Sequence, residues 1–294
     1  MTAETARRVS VVLPVFNDEV RLEKCLQALE DQTYPKTAYE VIVVDNASTA
    51  DIKTIVDCFG QAAYVHEAKQ GSYAARNKGL TLATGEIIAF TDSDCVPAPN
   101  WIERGVSTLT SVPDCALVGG AIELFYRDED NPTGVELYER ATGFPQRKYV
   151  EESKFAATAN VFTYRGVLDE VGVFNDELKS GGDAEWGKRV HAAGLLLHYA
   201  DDVVVAHPAR STYAEMYAKT VRVMSGLPAL RPGAVTKRKA VRQFLRGLIP
   251  PFGRIRRIVG QAGDLSALQT LKLVSVVLFI NYVWVLERAR LQCK

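Results

Sequence analysis

The sequence predicts an α/β fold: a mostly parallel sheet flanked by helices, followed by a helical C-terminal extension. Short apolar, β-rich runs alternate with helical periodicities through the first half of the chain, and polar residues stand directly after those runs. The composition is that of a globular chain, 47% hydrophobic and 24% charged over 294 residues, enough for one sizeable core with an appendage.

Residues 9–13 form the first strand, closed by Pro14, which has no donor for a continuing ladder. Residues 18–30 place Val20, Leu22, Cys25, Leu26 and Leu29 on one helical side that should cover the sheet. Strands follow at 41–44, 62–66 and 87–91, with a helix at 71–83 between the last two. A helix from Ala98-Pro99 to about Leu109 leads to a strand at 116–119. Residues 125–153 carry Pro132, Gly134, Gly143 and Pro145 and are expected to form mobile loops on the acceptor side of a site. A strand-like run ends at Tyr164, with a helix start at Arg165. The turn-rich stretch 172–182 precedes a helix from Asp183 to near Gly194, and short strands follow at 195–199 and 203–206. We place a main domain at 1–225 and a basic, apolar, helical extension at 226–294.

Zero formal charge, from 35 basic and 35 acidic residues, argues against a nucleic-acid binder. Cys25, Cys58, Cys95, Cys115 and Cys293 are odd in number and widely spaced, which suits reduced thiols. The first ten residues lack the apolar core of a secretion signal, so a cytoplasmic location is expected.

In sheets of this type ligands collect beyond the carboxyl ends of the strands. Asn17, Asp45, Asn46, Asp92 and Asp94 all follow apolar strands and can converge at one rim. Asp92-Ser93-Asp94 offers carboxylates suited to Mg²⁺ or Mn²⁺, ions that keep positions open for phosphate oxygens. Alone, that pattern is equally a capped turn. Lys69, Arg76 and Asn77 form a polar set around the 71–83 helix, and the Arg76 fork matches either a phosphate or Asp92. His207 ends a strand, where imidazole suits a metal ion or a hydrogen-bonded surface role.

The ordered set of residues 11–19 (VVLPVFNDE), 43–48 (VVDNAS), 71–79 (GSYAARNKG), 91–94 (TDSD) and 181–186 (GGDAEW) resembles the inverting family 2 glycosyltransferases, and the likeness covers about residues 9–210. The resemblance implies a Rossmann-like GT-A fold that binds a nucleotide-diphosphate-sugar, with UDP-sugars favoured. It implies that Pro14, Phe16, Asn17 and Glu19 wrap the nucleoside and that Asp45, beside Asn46, accepts from the base or ribose. Lys69, Arg76, Asn77, Asp92 and Ser93 would complete the donor side. Asp94, Asp92 and His207 would hold Mn²⁺ or Mg²⁺, and Asp183 would deprotonate the acceptor hydroxyl. Asp183 also stands where a helix N-cap is expected. Asn160, Glu185 and Trp186 would lie on the acceptor side, although Glu185 equally suits a first helical turn. Where the family usually has Gly-Glu-Asp, this chain has Gly181-Gly182-Asp183.

Residues 237–257 are rich in Lys and Arg and lack acids, and 271–286 are apolar with Lys272 and Asn281 as the main polar interruptions. About fourteen uninterrupted apolar residues fall short of a roughly 20-residue span. The pattern therefore suits peripheral association with an anionic membrane, or packing through Leu268, Leu271, Val274, Val277 and Leu278. A membrane location would make a lipid-linked sugar or a growing glycan a natural acceptor. Two other function classes share some of these features. A nucleotidyltransferase would place a basic phosphate loop after the first strand, which residues 14–19 do not supply, and a static sugar-binding protein would bind nucleotide without turnover.

Overall fold

The structure, a computed structural model, describes residues 6–226 and 237–292; Cys293 lies outside the described residues. Two compact units divide the chain. The first comprises Met1–Glu123, Phe144–Leu178 and Gly182–His207, and the second Leu124–Gly143, Lys179–Gly181 and Pro208–Lys294.

In chain order the elements are β1 (Val9–Val15), α1 (Glu19–Glu30), β2 (Tyr39–Asp45), α2 (Ile52–Val56), β3 (Ala62–His66), α3 (Ser72–Leu80), β4 (Ile87–Thr91), β5 (Val96–Pro97), α4 (Trp101–Ser111) and β6 (Cys115–Phe125). There follow α5 (Gly134–Thr142), α6 (Gln146–Lys148), β7 (Asn160–Tyr164), α7 (Arg165–Val171), α8 (Gly182–Ala192), β8 (Leu196–Pro208), α9 (Tyr213–Ser225), α10 (Lys237–Gly247), α11 (Phe252–Gln261) and α12 (Ala267–Gln292). The strands form one sheet in the order β3-β2-β1-β4-β7-β6-β8-β5. Strands β3, β2, β1 and β4 are parallel, as the strand–helix alternation requires, whereas β7 runs antiparallel to β4 and β6, and β5 antiparallel to β8.

Strand β1 is buried along its whole length because helices cover both faces of the sheet. Val9, Val11, Leu13 and Val15 point into a cluster with Leu22, Cys25, Leu26 and Leu29 of α1 and with Trp101, Ile102, Val106 and Leu109 of α4. Val12 points the other way, toward Tyr73, Leu80, Phe90, Trp186 and Val190.

Several local expectations are corrected. Pro14 does not close β1: the strand continues to Val15, with Pro14 opposite Val44. Pairing with β4 ends at Val12, so one side of β1 carries no ladder at Pro14. Val20 is exposed, because α1 needs only four apolar positions against the sheet. Residues 125–153 are not simply loops. They contain α5, started by a capping box in which Thr133 Oγ1 accepts from Glu136 N and Glu136 Oε2 accepts from Thr133 N. The two short strands expected at 195–206 are one, β8.

In the second unit α12 buries one stripe. Leu273, Val276, Val277, Ile280 and Val283 are buried, and most of them cluster with Val135, Leu137 and Tyr138 of α5, Met216 of α9 and Ile258 of α11. Leu268 and Leu271, expected in that seam, are exposed. Among the described residues α12 is the single helix long and apolar enough to cross a bilayer. Beside the apolar seam, Glu139 of α5 is buried and accepts from Arg210 Nη1 at 2.8 Å and from Lys219 Nζ at 2.7 Å. Burial alone would raise its carboxyl, but the charges of Lys219 and Arg210 outweigh that and hold it below the ordinary value.

We expect Glu139→Leu to destabilise the protein by about 3 kcal/mol, because Lys219 and Arg210 are left without their buried counter-charge. Since the folded pKa is depressed, the contribution is complete above the unfolded value of about 4.3 and fades as pH falls through the folded one. Thermal melts of wild type and variant should therefore differ near neutral pH and converge in acid; a constant difference would sink the assignment.

Candidate functional site

The site lies at the carboxyl rim of β1, β2 and β4, and its loops are stitched to one another. Asn17, in the left-handed region at φ 49°, donates its N–H to Ser48 Oγ, and its Oδ1 accepts from Thr49 N at 2.8 Å. Asp45 ends β2 and is buried, its Oδ1 accepting from Ser48 N and its Oδ2 from Tyr64 Oη, each at 2.9 Å. Asn46 clamps the next loop: Nδ2 donates to the carbonyls of Glu67 and Lys69, and Oδ1 accepts from Gly71 N. Pro14 is buried beneath this rim, while Phe16 is half exposed and Glu19 occupies the first turn of α1.

The two aspartates of the Asp-Ser-Asp turn part company. Asp92 accepts from Arg76 Nη2, and Arg76 is buried on α3 with its guanidinium 5.9 Å from the centre of the Tyr73 ring. Of the two partners open to Arg76, Asp92 is the one its guanidinium reaches here. Asp94 instead faces His207, with Oδ2 3.6 Å from Nε2, and Phe144 packs on the imidazole with ring centres 4.8 Å apart. Burial raises the Asp94 carboxyl above its usual range; His207 pulls it down and the Asp92 charge pushes it further up. Ser93 is buried within the turn.

Asp94, Cys95 and His207 bring three potential donor atoms within 4.8 Å of one another. Burial drives the Cys95 thiol well above its ordinary pKa, Sγ faces the Ala159 carbonyl, and a soft sulfur donor suits a hard ion poorly. A carboxylate with an imidazole remains, and that pair fits a divalent cation such as Mn²⁺ or Mg²⁺, with positions left for phosphate oxygens.

Asp183 stands in the first turn of α8. Its Oδ1 accepts from Tyr73 Oη at 3.1 Å and from Ala184 N at 3.2 Å. Burial, reinforced by the Asp183 charge, pushes the Tyr73 phenol up to about 12, so it remains a donor. Tyr73 and Arg76, one turn apart on α3, thus tie Asp183 and Asp92 into one chain: Asp183 to Tyr73, Tyr73 to Arg76, Arg76 to Asp92. Sequence reasoning missed Tyr73, although its i, i+3 spacing from Arg76 was a usable signal. The same ring accounts for Gly182, where a Cβ would stand 2.7 Å from Tyr73.

The remaining candidates serve the scaffold. Lys69 pairs with Asp176 and Glu177. Asn77 exchanges two hydrogen bonds with the Phe174 backbone. Asn160, fully buried, accepts from Trp101 Nε1 and donates to the carbonyls of Ala121 and Val203, so its amide is spent inside the core and not on the acceptor side. Trp186 is likewise buried, with Nε1 bonded to the Gly172 carbonyl. Glu185 pairs with Arg189, which also donates to the carbonyls of Val171, Gly172 and Val173 and closes the turn before α8.

Residues 10–172 match the family described as Glycosyl transferase family 2. Glycosyltransferase AglE of Haloferax volcanii is 41% identical over 223 residues, covering 74% of this chain and 72% of that protein. A dolichyl N-acetyl-alpha-D-glucosaminyl phosphate 3-beta-D-2,3-diacetamido-2,3-dideoxy-beta-D-glucuronosyltransferase of Methanococcus voltae is 22% identical over 227 residues, covering 72% of this chain and 70% of that protein. Among solved structures, mannosyltransferase PcManGT of Pyrobaculum calidifontis, in complex with GDP-Man and Mn²⁺, shares the fold, with a TM-score of 0.59 at 19% identity over 97% of this chain and 73% of that one. With the motif order, the rim and the paired acids in place, the chain belongs to glycosyl transferase family 2 and is a sugar-transferring enzyme.

Proposed function

We propose that the protein catalyses a metal-dependent, inverting transfer of a sugar from a nucleotide-diphosphate donor to a hydroxyl of a glycan or lipid-linked acceptor. The observation that carries this reading is the chain Asp183–Tyr73–Arg76–Asp92, which fixes a partly exposed carboxylate in register with the donor-side acids. The rim loops 14–19 and 45–49 take the nucleoside, with Phe16 offering an exposed ring to the base. Asp94 and His207 would hold Mn²⁺ or Mg²⁺, and the ion would supply charge stabilisation for the departing diphosphate. Arg76 keeps Asp92 oriented. Asp183 accepts the acceptor's proton as its oxygen attacks the anomeric carbon from the face opposite the leaving group, so the configuration inverts in one displacement. The lipid-linked class of acceptor draws support from the dolichyl phosphate in the name of the Methanococcus voltae relative.

The test incubates purified protein with Mn²⁺ or Mg²⁺ and a panel of UDP-, GDP- and dTDP-sugars, beginning with UDP-sugars, together with glycan and polyprenyl-phosphate sugar acceptors. The expected result is metal-dependent release of one nucleoside diphosphate, matched by a mass-shifted acceptor whose new linkage has inverted configuration by NMR. Retention of configuration, or nucleotide binding without any product across the panel, would overturn the reading.

A further inference from the structure

The most unusual surface of the second unit is on α10 and α11. Val241 and Leu245 of α10 and Leu248, just past its end, recur at i, i+4 and i+7 and make one apolar stripe, which Ile249 and Phe252 continue into the start of α11. All five are exposed, Val241 and Leu245 to 59%, Ile249 to 64% and Phe252 to 71%. Arg238, Arg242 and Arg246, four residues apart, form a parallel exposed stripe beside it, and Arg256 and Arg257 extend the basic surface along α11. No acid interrupts the pattern: residues 216–263 contain neither Asp nor Glu.

The opposite side of α10 is already occupied. Gly247 lies against Val285 of α12, where a Cβ would come within 2.4 Å, and Asn281 Nδ2 and Tyr282 Oη donate to the carbonyls of Gly247 and Leu248. In α11, Ile258 is buried and Ile255 and Val259 pack with it in the unit's core. The two helices are therefore held by their inner faces and present an apolar ridge flanked by cations outward.

We infer that this ridge is a membrane-docking surface and that its occupant is an anionic lipid bilayer. The apolar residues would enter the headgroup–acyl boundary while the arginines meet lipid phosphates, the division of labour of an interfacial amphipathic helix. Charge complementarity decides against a second copy of the chain. Docking this ridge on its twin would stack five exposed arginines on five others, with no acid on α10 or α11 to separate them. Helix α12, by contrast, turns its buried stripe of Leu273, Val276, Val277 and Ile280 into the core of the unit.

The experiment is co-sedimentation of the full-length protein with vesicles of phosphatidylcholine alone and of phosphatidylcholine containing roughly 30 mol% phosphatidylglycerol. The wild type should sediment with the anionic vesicles, and raised salt should release it. The double variant Ile249→Glu/Phe252→Glu should bind about tenfold more weakly or worse. The variant Arg238→Glu/Arg242→Glu should lose the preference for anionic lipid, by about tenfold, at unchanged melting temperature. All four positions are exposed, so folding is preserved and is checked by the melt. The inference is overturned if the wild type stays in the supernatant, or if the variants sediment as it does. It is also overturned if light scattering shows a dimer that Ile249→Glu/Phe252→Glu dissociates, since a second copy would then cover the ridge. None of these readouts needs turnover, so failure here leaves the proposed reaction standing, and failure of that reaction leaves the docking surface standing.

Discussion

Asp183→Asn should lower kcat by about 10²- to 10⁴-fold while leaving the donor KM within about twofold. The substitution keeps the size of the side chain and an oxygen able to accept from Tyr73 Oη and Ala184 N, so α8 and its turn should be undisturbed. What it removes is the capacity to take a proton, which matters only as the acceptor oxygen attacks. An interaction used only in the transition state appears in kcat. Tyr73→Phe separates holding from chemistry: it deletes the donor to Asp183 but no proton acceptor, and a loss of about tenfold in kcat is expected. Gly182→Ala should act in the same direction, because its Cβ would press on the Tyr73 ring and shift the phenol away from Asp183. Steady-state kinetics with the donor and acceptor found in the panel, alongside melting curves, decide the matter. A fully active Asp183→Asn would remove Asp183 from the reaction.

That Gly182 result bears on how the site was written in the sequence. The chain departs from the family's usual Gly-Glu-Asp by carrying a second glycine, and sequence alone registers this only as a missing acid. In three dimensions the missing side chain is room for Tyr73, contributed from more than a hundred residues away. Local patterns report what neighbours in sequence do, and such a pairing is set by topology. The same limit explains Asn160, which looks like an acceptor-side amide but is a strut linking α4, β6 and β8. Trp186 likewise follows the proposed base in sequence yet points into the core.

Strands β1, β2 and β4 were legible because a strand buried on both faces must be largely apolar, and these are, apart from a few polar residues such as Ser10 and Glu40. The residues that follow them, Asn17, Asp45, Asn46 and Asp92, were legible as a rim for the same reason: a parallel sheet puts its strand ends on one side. Strand β8 read as two pieces because Asp201 and Asp202 interrupt its apolar pattern, yet both are exposed on a continuous strand. Helix α5 was hidden by Pro132, Gly134 and Gly143, residues that punctuate its ends and carry no instruction against a helix between them. The Thr133 to Glu136 spacing was the available signal.

Asp94→Asn should raise the metal concentration for half-maximal activity by at least about 100-fold, and His207→Ala by roughly 10- to 100-fold. Both follow from the way the structure divides the Asp-Ser-Asp turn. Asp92 is committed to Arg76, so its negative charge is largely answered before any ion arrives. Asp94 has His207 3.6 Å away and a carboxyl that burial has raised, and such a carboxylate gains most from a cation. Neutral asparagine keeps the shape and loses the charge, so binding of Mn²⁺ followed directly by electron paramagnetic resonance should weaken in step with activity. Cys95→Ala supplies the contrast. Its thiol lies in the same cluster but is a soft donor ill suited to a hard ion, so metal affinity should stay within about twofold of wild type. Asp92→Asn should differ again, disturbing Arg76 and Tyr73 rather than the ion, and should therefore lower kcat at saturating metal. If Asp92→Asn instead weakened Mn²⁺ binding as strongly as Asp94→Asn, the two aspartates would share the ion and the division read from Arg76 would fall.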